Sequence, residues 1–439
     1  MEAVQGGEAV PRLDRNFWWL LGGSLVSALG DQFTLIALPW LVLKLTGSAL
    51  ALGTVLMVMA LPRAAFMLVG GAFVDRFSPR VVLLLARSAN AVLIAALAAL
   101  VWLGSIELWM LYLLGLGIGL ATAFVYPAGG SLLPQVVPPG KLTTANSFMM
   151  GMRQLSLFAG PALAGVIVAL FAAPGVHAPG AARVPDATGL ATAFTVDALS
   201  FLASIGSLFL IRLHPEARAA RGQAPAGMLR AIGQGVRAVW RDFPLRAFML
   251  YVAAVSFFVG GPLQVGLPVL ADQRLDWGAA AYGALVSANG AGVLVGTVFA
   301  GLGTRLLGHR LGLVVLIADS VGGLIIAAFG FVHVTLIGMA MLFGWGIMGG
   351  FVQIAVMTWI QRRVPPEMMG RTMSLLMFTF LGIAPLAAAL GGLVLEQTSV
   401  TALFVGAGLL LTLIALLSLV NPGIRGIRAA DAVPEAGRN

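Results

Sequence analysis

Asp31 stands inside an apolar run from 17 to 43, and Arg63 stands inside the next run, from 48 to 71. An acidic side chain at the centre of a bilayer costs roughly 2.5–3.5 kcal/mol on insertion scales unless it is paired, hydrated or protonated. Two chemistries fit such a residue. One is a carboxyl that takes up and releases a proton as its surroundings switch between wet and dry. The other is a fixed ion pair with Arg63, which follows Pro62 and whose long guanidinium reaches toward the level of Asp31. Arg153 and Asp197 occupy the runs 143–172 and 189–212 at comparable depths and form a second candidate pair. Asp319 and Arg87 lie only about two turns inside their runs, so snorkelling or loop pairing accounts for them.

Polar and aromatic residues in otherwise apolar runs are candidates to line a binding cavity: Phe33, Gln154, Gln264, Asn289, Trp345, Gln353 and Phe378. With 18 Met and 24 Phe available, a soft, polarizable pocket suits amphipathic small molecules better than sugars. Enzyme chemistry has little to work with. His177, His214, His309 and His333 have no metal-ligand spacing, and there is no cysteine. No GxSxG, H-E-x-x-H or Walker A pattern occurs. Gly115-Leu116-Gly117-Ile118-Gly119 lies within an apolar run with no preceding strand, so it reads as small-residue helix packing rather than a nucleotide loop. The chain is therefore read as neither an enzyme nor a cofactor or metal binder.

The elements that carry these residues follow from composition. Of 439 residues, 59% are apolar and only 10% charged, with a mean hydropathy of +0.98. A soluble chain carries about a quarter charged residues, so this one belongs in a membrane. Twelve crossings at roughly 20 apolar residues each fit the length. Punctuation by Gly, Pro and charge predicts spans near 17–43, 48–71, 81–103, 106–128, 143–172, 189–212, 246–270, 279–303, 311–331, 334–359, 369–394 and 400–420. All are expected to be α-helices, because a lipid-exposed backbone satisfies its own hydrogen bonds. Most of the 26 Lys and Arg fall in the two tails and the even-numbered loops, whereas Lys44, Arg183 and Arg274 fall on the other side. By the positive-inside rule both ends are cytoplasmic. That makes the net charge of +9 a matter of topology rather than nucleic-acid binding. No signal peptide is read at the start, where charged residues precede an apolar run too long for one.

This reading divides the chain into an N-tail (1–16), a six-helix half (17–212), a linker (213–245), a second six-helix half (246–420) and a C-tail (421–439). Within the linker, Met228, Leu229, Ile232, Val236, Val239 and Trp240 fall at helical spacing beside Arg230, Arg237 and Arg241. They read either as an amphipathic helix on the lipid surface or as a basic linker.

The halves repeat. Leu38-Pro39 recurs as Leu267-Pro268, Gly71, Arg76 and Arg80 as Gly301, Arg305 and Arg310, Val137-Pro138-Pro139 as Val364-Pro365-Pro366, and Pro161 as Pro385. Each copy follows its original by about 225–230 residues at the same place relative to its spans, which indicates a duplicated six-helix unit. Two parallel halves imply a pseudo-two-fold axis along the membrane normal and a cavity between them.

The segment GGAFVDRFSPR, with Gly71, Asp75, Arg76 and Arg80 between spans 2 and 3, resembles the signature loop of the major facilitator superfamily. FAGPALAG in span 5, with Gly160, Pro161 and Gly165, is similar to the Gly-Pro motif of its antiporter branch. GDQFTLIALP in span 1 resembles first helices of drug:proton antiporters. PQVVPPGKLTTANSF and RVPPEMMGRTMS look most like the macrolide-efflux and siderophore-exporter group. The resemblance covers about 15–421 and implies an all-α, twelve-span fold in two pseudo-symmetric bundles. It also implies secondary transport by alternating access, in a monomer embedded in a bacterial inner membrane. On that footing the expected activity is proton-coupled efflux of amphipathic small molecules, with Asp31 and Arg63 at the coupling site. A dedicated exporter of one metabolite, siderophore or lipid is the second expectation, and a non-transporting receptor or scaffold the third. Asp75 is expected to latch onto the N-terminal end of span 11, pairing with Arg371, in a state closed on the cytoplasmic side. Gly160, Pro161, Gly165 and Pro385 are expected to kink their helices and shape the cavity.

Overall fold

A computed structural model describes residues 13–171, 184, 186–211, 237, 240–303, 311–364, 366–425 and 427, with backbone alone for 67–76, 139, 301–303, 422–423 and parts of 366–381. Twelve helices long enough to cross a membrane follow one another: α1 (Arg15–Thr46), α2 (Ala49–Arg76), α3 (Pro79–Trp102), α4 (Leu108–Val136), α5 (Leu142–Leu170), α6 (Ala187–Leu210), α7 (Phe243–Arg274), α8 (Ala279–Gly303), α9 (Leu311–Phe329), α10 (Thr335–Arg363), α11 (Pro366–Gln397) and α12 (Val400–Ser418). No strand occurs among the described residues. Twelve crossings put the start of α1 and the end of α12 on one face, termed the near face; the opposite one is the far face.

Why helices form is read from the same residues. Each run is apolar for at least 18 residues, except that in α11 the described apolar stretch is Gly382–Gln397. Three helix starts are capped by the short polar side chain that precedes the run, whereas Ser78 before α3 and Asp186 before α6 make no such bond. Asp14 accepts from Arg15 N, Asp242 from Leu245 N and Ser399 from Ala402 N. Several helices outrun the expected spans. The clearest is α4, predicted to stop at 128, which continues to Val136 through Pro127 and Pro134. Proline reads as a stop signal in water, but in a membrane the unpaired backbone has no solvent to turn to, so the helix continues.

Packing follows the duplication. In the first half α1 packs on α5 and α6, α3 on α4 and α6, and α2 on α4; in the second α7 packs on α11, α9 on α12, and α8 on α10. Between the halves the extensive contacts are α2 with α11 and α5 with α8. Under the repeat these two exchange places, as a two-fold axis between the halves requires. Most of the linker's predicted amphipathic helix, both tails, and Arg305 and Arg310 lie outside the described residues.

Candidate functional site

The halves are clamped together at the far face. Lys44, in the last turn of α1, places Nζ 2.6 Å from Asp272 Oδ1 near the end of α7. The same ammonium lies 5.1 Å from the centre of the Trp40 ring, whose Nε1 donates to Asp186 Oδ2 at 3.1 Å. Gly278, in the turn before α8 at φ +50, lies against that ring, where a Cβ would meet Trp40 Cζ2 at 3.5 Å. On the other side of the seam Glu396, from the last turn of α11, sits on the N-terminus of α2. Its Oε2 accepts from Ser48 Oγ at 3.0 Å and from Leu50 N at 3.4 Å, so a carboxylate meets the free amides and positive end of a helix from the other half.

Below these polar contacts the helices touch backbone to backbone. A Cβ on Gly53 would lie 2.4 Å from Ala388 O, and one on Gly392 would lie 2.4 Å from Ala49 O, across the α2–α11 seam. In α5–α8, Gly165 faces Ala279 O, Gly283 faces Pro161 O, and Gly290 faces Leu157 O, each closer than 3 Å to where its Cβ would stand. Pro161 has no N–H to offer the carbonyl four residues back. Next to it, Ala162 N donates to Ser287 Oγ of α8 at 2.8 Å.

The hydrogen bonds, the ion pair and the glycine approaches described above join the halves between the far face and mid-membrane. Toward the near face α5 and α8 expose Phe148, Met150, Val298 and Phe299. At that end the side chains of 67–76 in α2 and of most of 366–381 in α11 lie outside the described residues. Asp31 stands halfway along α1 and is exposed, as is Leu35 one turn on, whereas residues 32–34 and 36–43 are buried. Its charged neighbours are Arg87 on α3, then Arg63 on α2, and Asp197 on α6. Asp31 is thus an exposed acid with charged groups around it on three other helices of its own half.

The sequence pattern of the Major Facilitator Superfamily matches residues 20–389. The chain belongs to that superfamily. Its relatives include the multidrug efflux pump Tap of Mycobacterium tuberculosis, 23% identical over 95% of each chain. Macrolide efflux protein A of Streptococcus pyogenes is 22% identical over 95% of this chain and 97% of that one. MFS-type transporter YfiS of Bacillus subtilis is 26% identical over 94% of both. Among solved structures, nucleoside transporter NupG superimposes with a TM-score of 0.70 at 14% identity, covering 93% of this chain and 99% of that one. A bacterial homologue of the iron transporter ferroportin in its inward-facing state gives 0.70 at 18%, over 93% and 99%. These are transporters, and this facilitator is a multi-pass membrane protein with the same fold.

Within this facilitator the expected pairs are not brought together. Asp31 and Arg63 form no ion pair, and Arg63 Nε is buried without a hydrogen-bond partner. Arg153 does not meet Asp197. Its guanidinium lies over the Tyr126 ring of α4 at 5.4 Å, while Asp197 is buried between α6 and α1, where Thr34 Oγ1 donates to its carboxylate. Equal depth was a necessary condition for that pair, but the two residues point to different sides of the N-terminal half.

The proposed cavity lining divides in the same way. Phe33 is buried in the core, 6% exposed, because Asp31 and Leu35 take the exposed face of that part of α1. Trp345 packs its indole against the bare backbone of Gly322 on α9, a contact within its own half. Asn289 donates to Leu342 O of α10 at 3.4 Å and is half-buried, as is Gln154, and Gln353 is exposed. Gln264 is half-buried in a π-turn, Pro262–Gly266, that interrupts α7. The turn precedes Pro268, which cannot bond back to residue 264; Leu267 N reaches Pro262 O instead.

The signature-loop residues Gly71, Asp75 and Arg76 end α2, and Arg371 is in the second turn of α11. Their side chains, and that of Phe378, lie outside the described residues. Arg80 donates to Phe209 O at the end of α6, 3.3 Å away, a contact inside the first half. Pro385 lies in α11 next to the segment that meets α2 and α7 through Ala388, Gly391 and Gly392. Sequence reasoning missed the far-face clamp. Its signal was Lys44, one of the few cations on the side of the membrane that the positive-inside rule leaves poor in them.

Proposed function

We propose that this facilitator exports amphipathic small molecules by alternating access, driven by protons that bind Asp31. The observation that carries the reading is an exposed carboxylate midway along α1, with charged neighbours on three other helices and no ion-pair partner among the described residues; the far-face clamp supports a cleft that opens toward the near face. Such a group is free to change charge as the cleft changes sides, which a locked pair is not. The basic loops make the near face cytoplasmic, in a bacterial inner membrane, and the conformation is inward-open. The efflux activities named for Tap and macrolide efflux protein A support the direction and the cargo class. Gln154, Gln264, Asn289 and Gln353 are the polar contacts for cargo in an otherwise apolar lining. Protein, proton and cargo act as a monomer with the halves 17–212 and 246–420 moving against each other.

Opening outward requires release of the clamp made by Lys44, Asp272, Glu396 and Ser48. A matching latch at the near face then forms from Asp75 at the N-terminus of α11, beside Arg371, with Gly71, Arg76 and Arg80 shaping the loop. The two latches are the same device used twice. Because α2 and α11 run antiparallel, the acid at the end of each meets the start of the other. The test is efflux of a fluorescent lipophilic cation from proteoliposomes, with and without an imposed pH gradient, for wild type and Asp31→Asn. Gradient-driven movement lost in the variant supports the reading. Equal movement by the variant removes Asp31 from the coupling step, and no movement by wild type favours an exporter of one metabolite, siderophore or lipid.

A further inference from the structure

We propose that Asp197 is a second proton-binding site, a carboxylic acid that holds its proton inside the first half while Asp31 exchanges with the cleft. Asp197 is fully buried, 0% exposed, midway along α6. The approach of α1 makes room for it. A Cβ on Gly30 would stand 2.6 Å from Asp197 Oδ1, so the carboxyl is pressed against bare backbone one residue before Asp31.

Its partners are neutral hydroxyls. Thr34 Oγ1 donates to Oδ2. Ser200 Oγ stands 2.7 Å from the Asp197 main-chain oxygen and 3.3 Å from Oδ1. That hydroxyl has one proton and two acceptors, and the shorter contact takes it. The Oδ1 contact is then satisfied if the carboxyl supplies the hydrogen itself and Ser200 Oγ accepts.

The charges on the surrounding helices point the same way. From α1 comes Asp31, of like sign. From α3 comes Arg87, which is held by Ser204 and Ser24 a further turn or two along the seam. From α5 the cation is Arg153, which turns away to Tyr126. No ion pair to Asp197 occurs among the described residues. A bare carboxylate with only hydroxyl donors is strongly disfavoured in so apolar a setting, whereas the neutral acid is not. Two carboxylates in one region also resist ionising together. A protonated Asp197 leaves Asp31 free to ionise beside Arg87 and Arg63.

That consequence for Asp31 rests on the proton coupling proposed above; the protonation of Asp197 does not. Infrared spectra of the protein in lipid vesicles near neutral pH, compared between wild type and Asp197→Asn, test it directly. The expected result is one carboxylic-acid C=O band lost in Asp197→Asn and kept in Asp31→Asn, moving to higher frequency in Thr34→Val, which lacks the donor to Oδ2. Absence of any acid band that depends on Asp197 overturns the proposal even if transport proves proton-coupled. Presence of the band sustains it even if transport does not. Where transport is measurable, the neutral Asn is expected to leave the pH profile in place; a shifted profile would mean that an ionised Asp197 had been removed.

Discussion

At Ser287 a single hydroxyl of α8 accepts from the backbone of α5 one residue past Pro161. Ser287→Ala removes that hydrogen bond across the seam. Intramembrane hydrogen bonds are worth about 0.6 kcal/mol on average and up to about 1.7 kcal/mol, so a lowered Tm of purified protein within that range is expected, with the fold retained. Asp31 is the residue whose importance was most legible in sequence, because its depth in an apolar run is read directly from position. Its partner was not legible. Arg63 and Arg153 each stand at a plausible depth, but which way a side chain leaves its helix depends on that helix's rotation against its neighbours, and hydropathy carries almost none of that information. The stripe Asp197, Ser200, Ser204 and Ser207 on α6 did hold a signal. Polar residues at helical spacing in an apolar run mark a seam, and this one faces Gly23 and Gly30 of α1.

Among the elements, α2 and α11 carry the most specific consequence. Gly53 and Ala388 meet with backbone on one side and no side chain on the other, so neither can yield. Gly53→Leu is expected to destabilise by about 1–3 kcal/mol through overpacking, or to part the helices at the far face. Thermal unfolding and spin-label distances between positions 48 and 396 separate these effects. The Lys44–Asp272 pair has side chains 24% and 27% exposed and contributes at most about 1 kcal/mol, a factor of about five in the ratio of states. Lys44→Glu is therefore expected to widen the far-face distance distribution without unfolding the protein. The swap Lys44→Glu with Asp272→Lys is expected to restore it. A clamp this weak suits a gate that opens in every cycle. The existence and order of the helices were legible from apolar length alone. Their ends were less so, since α4 runs through two prolines that in water would have stopped it.

For the whole molecule, the proposed opening toward the near face makes a directional prediction. The chain has no cysteine, so Leu35→Cys introduces its only thiol, one turn from Asp31 on the exposed face of α1. A membrane-impermeant thiol reagent is expected to modify it from the near face and not from the far face. Adding Lys44→Glu is expected to raise far-face labelling, and equal labelling from both faces in the parent would contradict a sealed far side. The sequence by itself determined the membrane class, the twelve crossings and the duplication, because these follow from one-dimensional quantities: apolar run length and the recurrence of motifs at one offset. Only the tertiary structure decided that Lys44 and Asp272 join the halves at the far face, that Glu396 caps a helix of the other half, and that Asp197 lies among hydroxyls instead of beside an arginine. Those depend on how helices are rotated and how nearly glycine backbones approach, and a chain read one residue at a time specifies that only through packing of all twelve together.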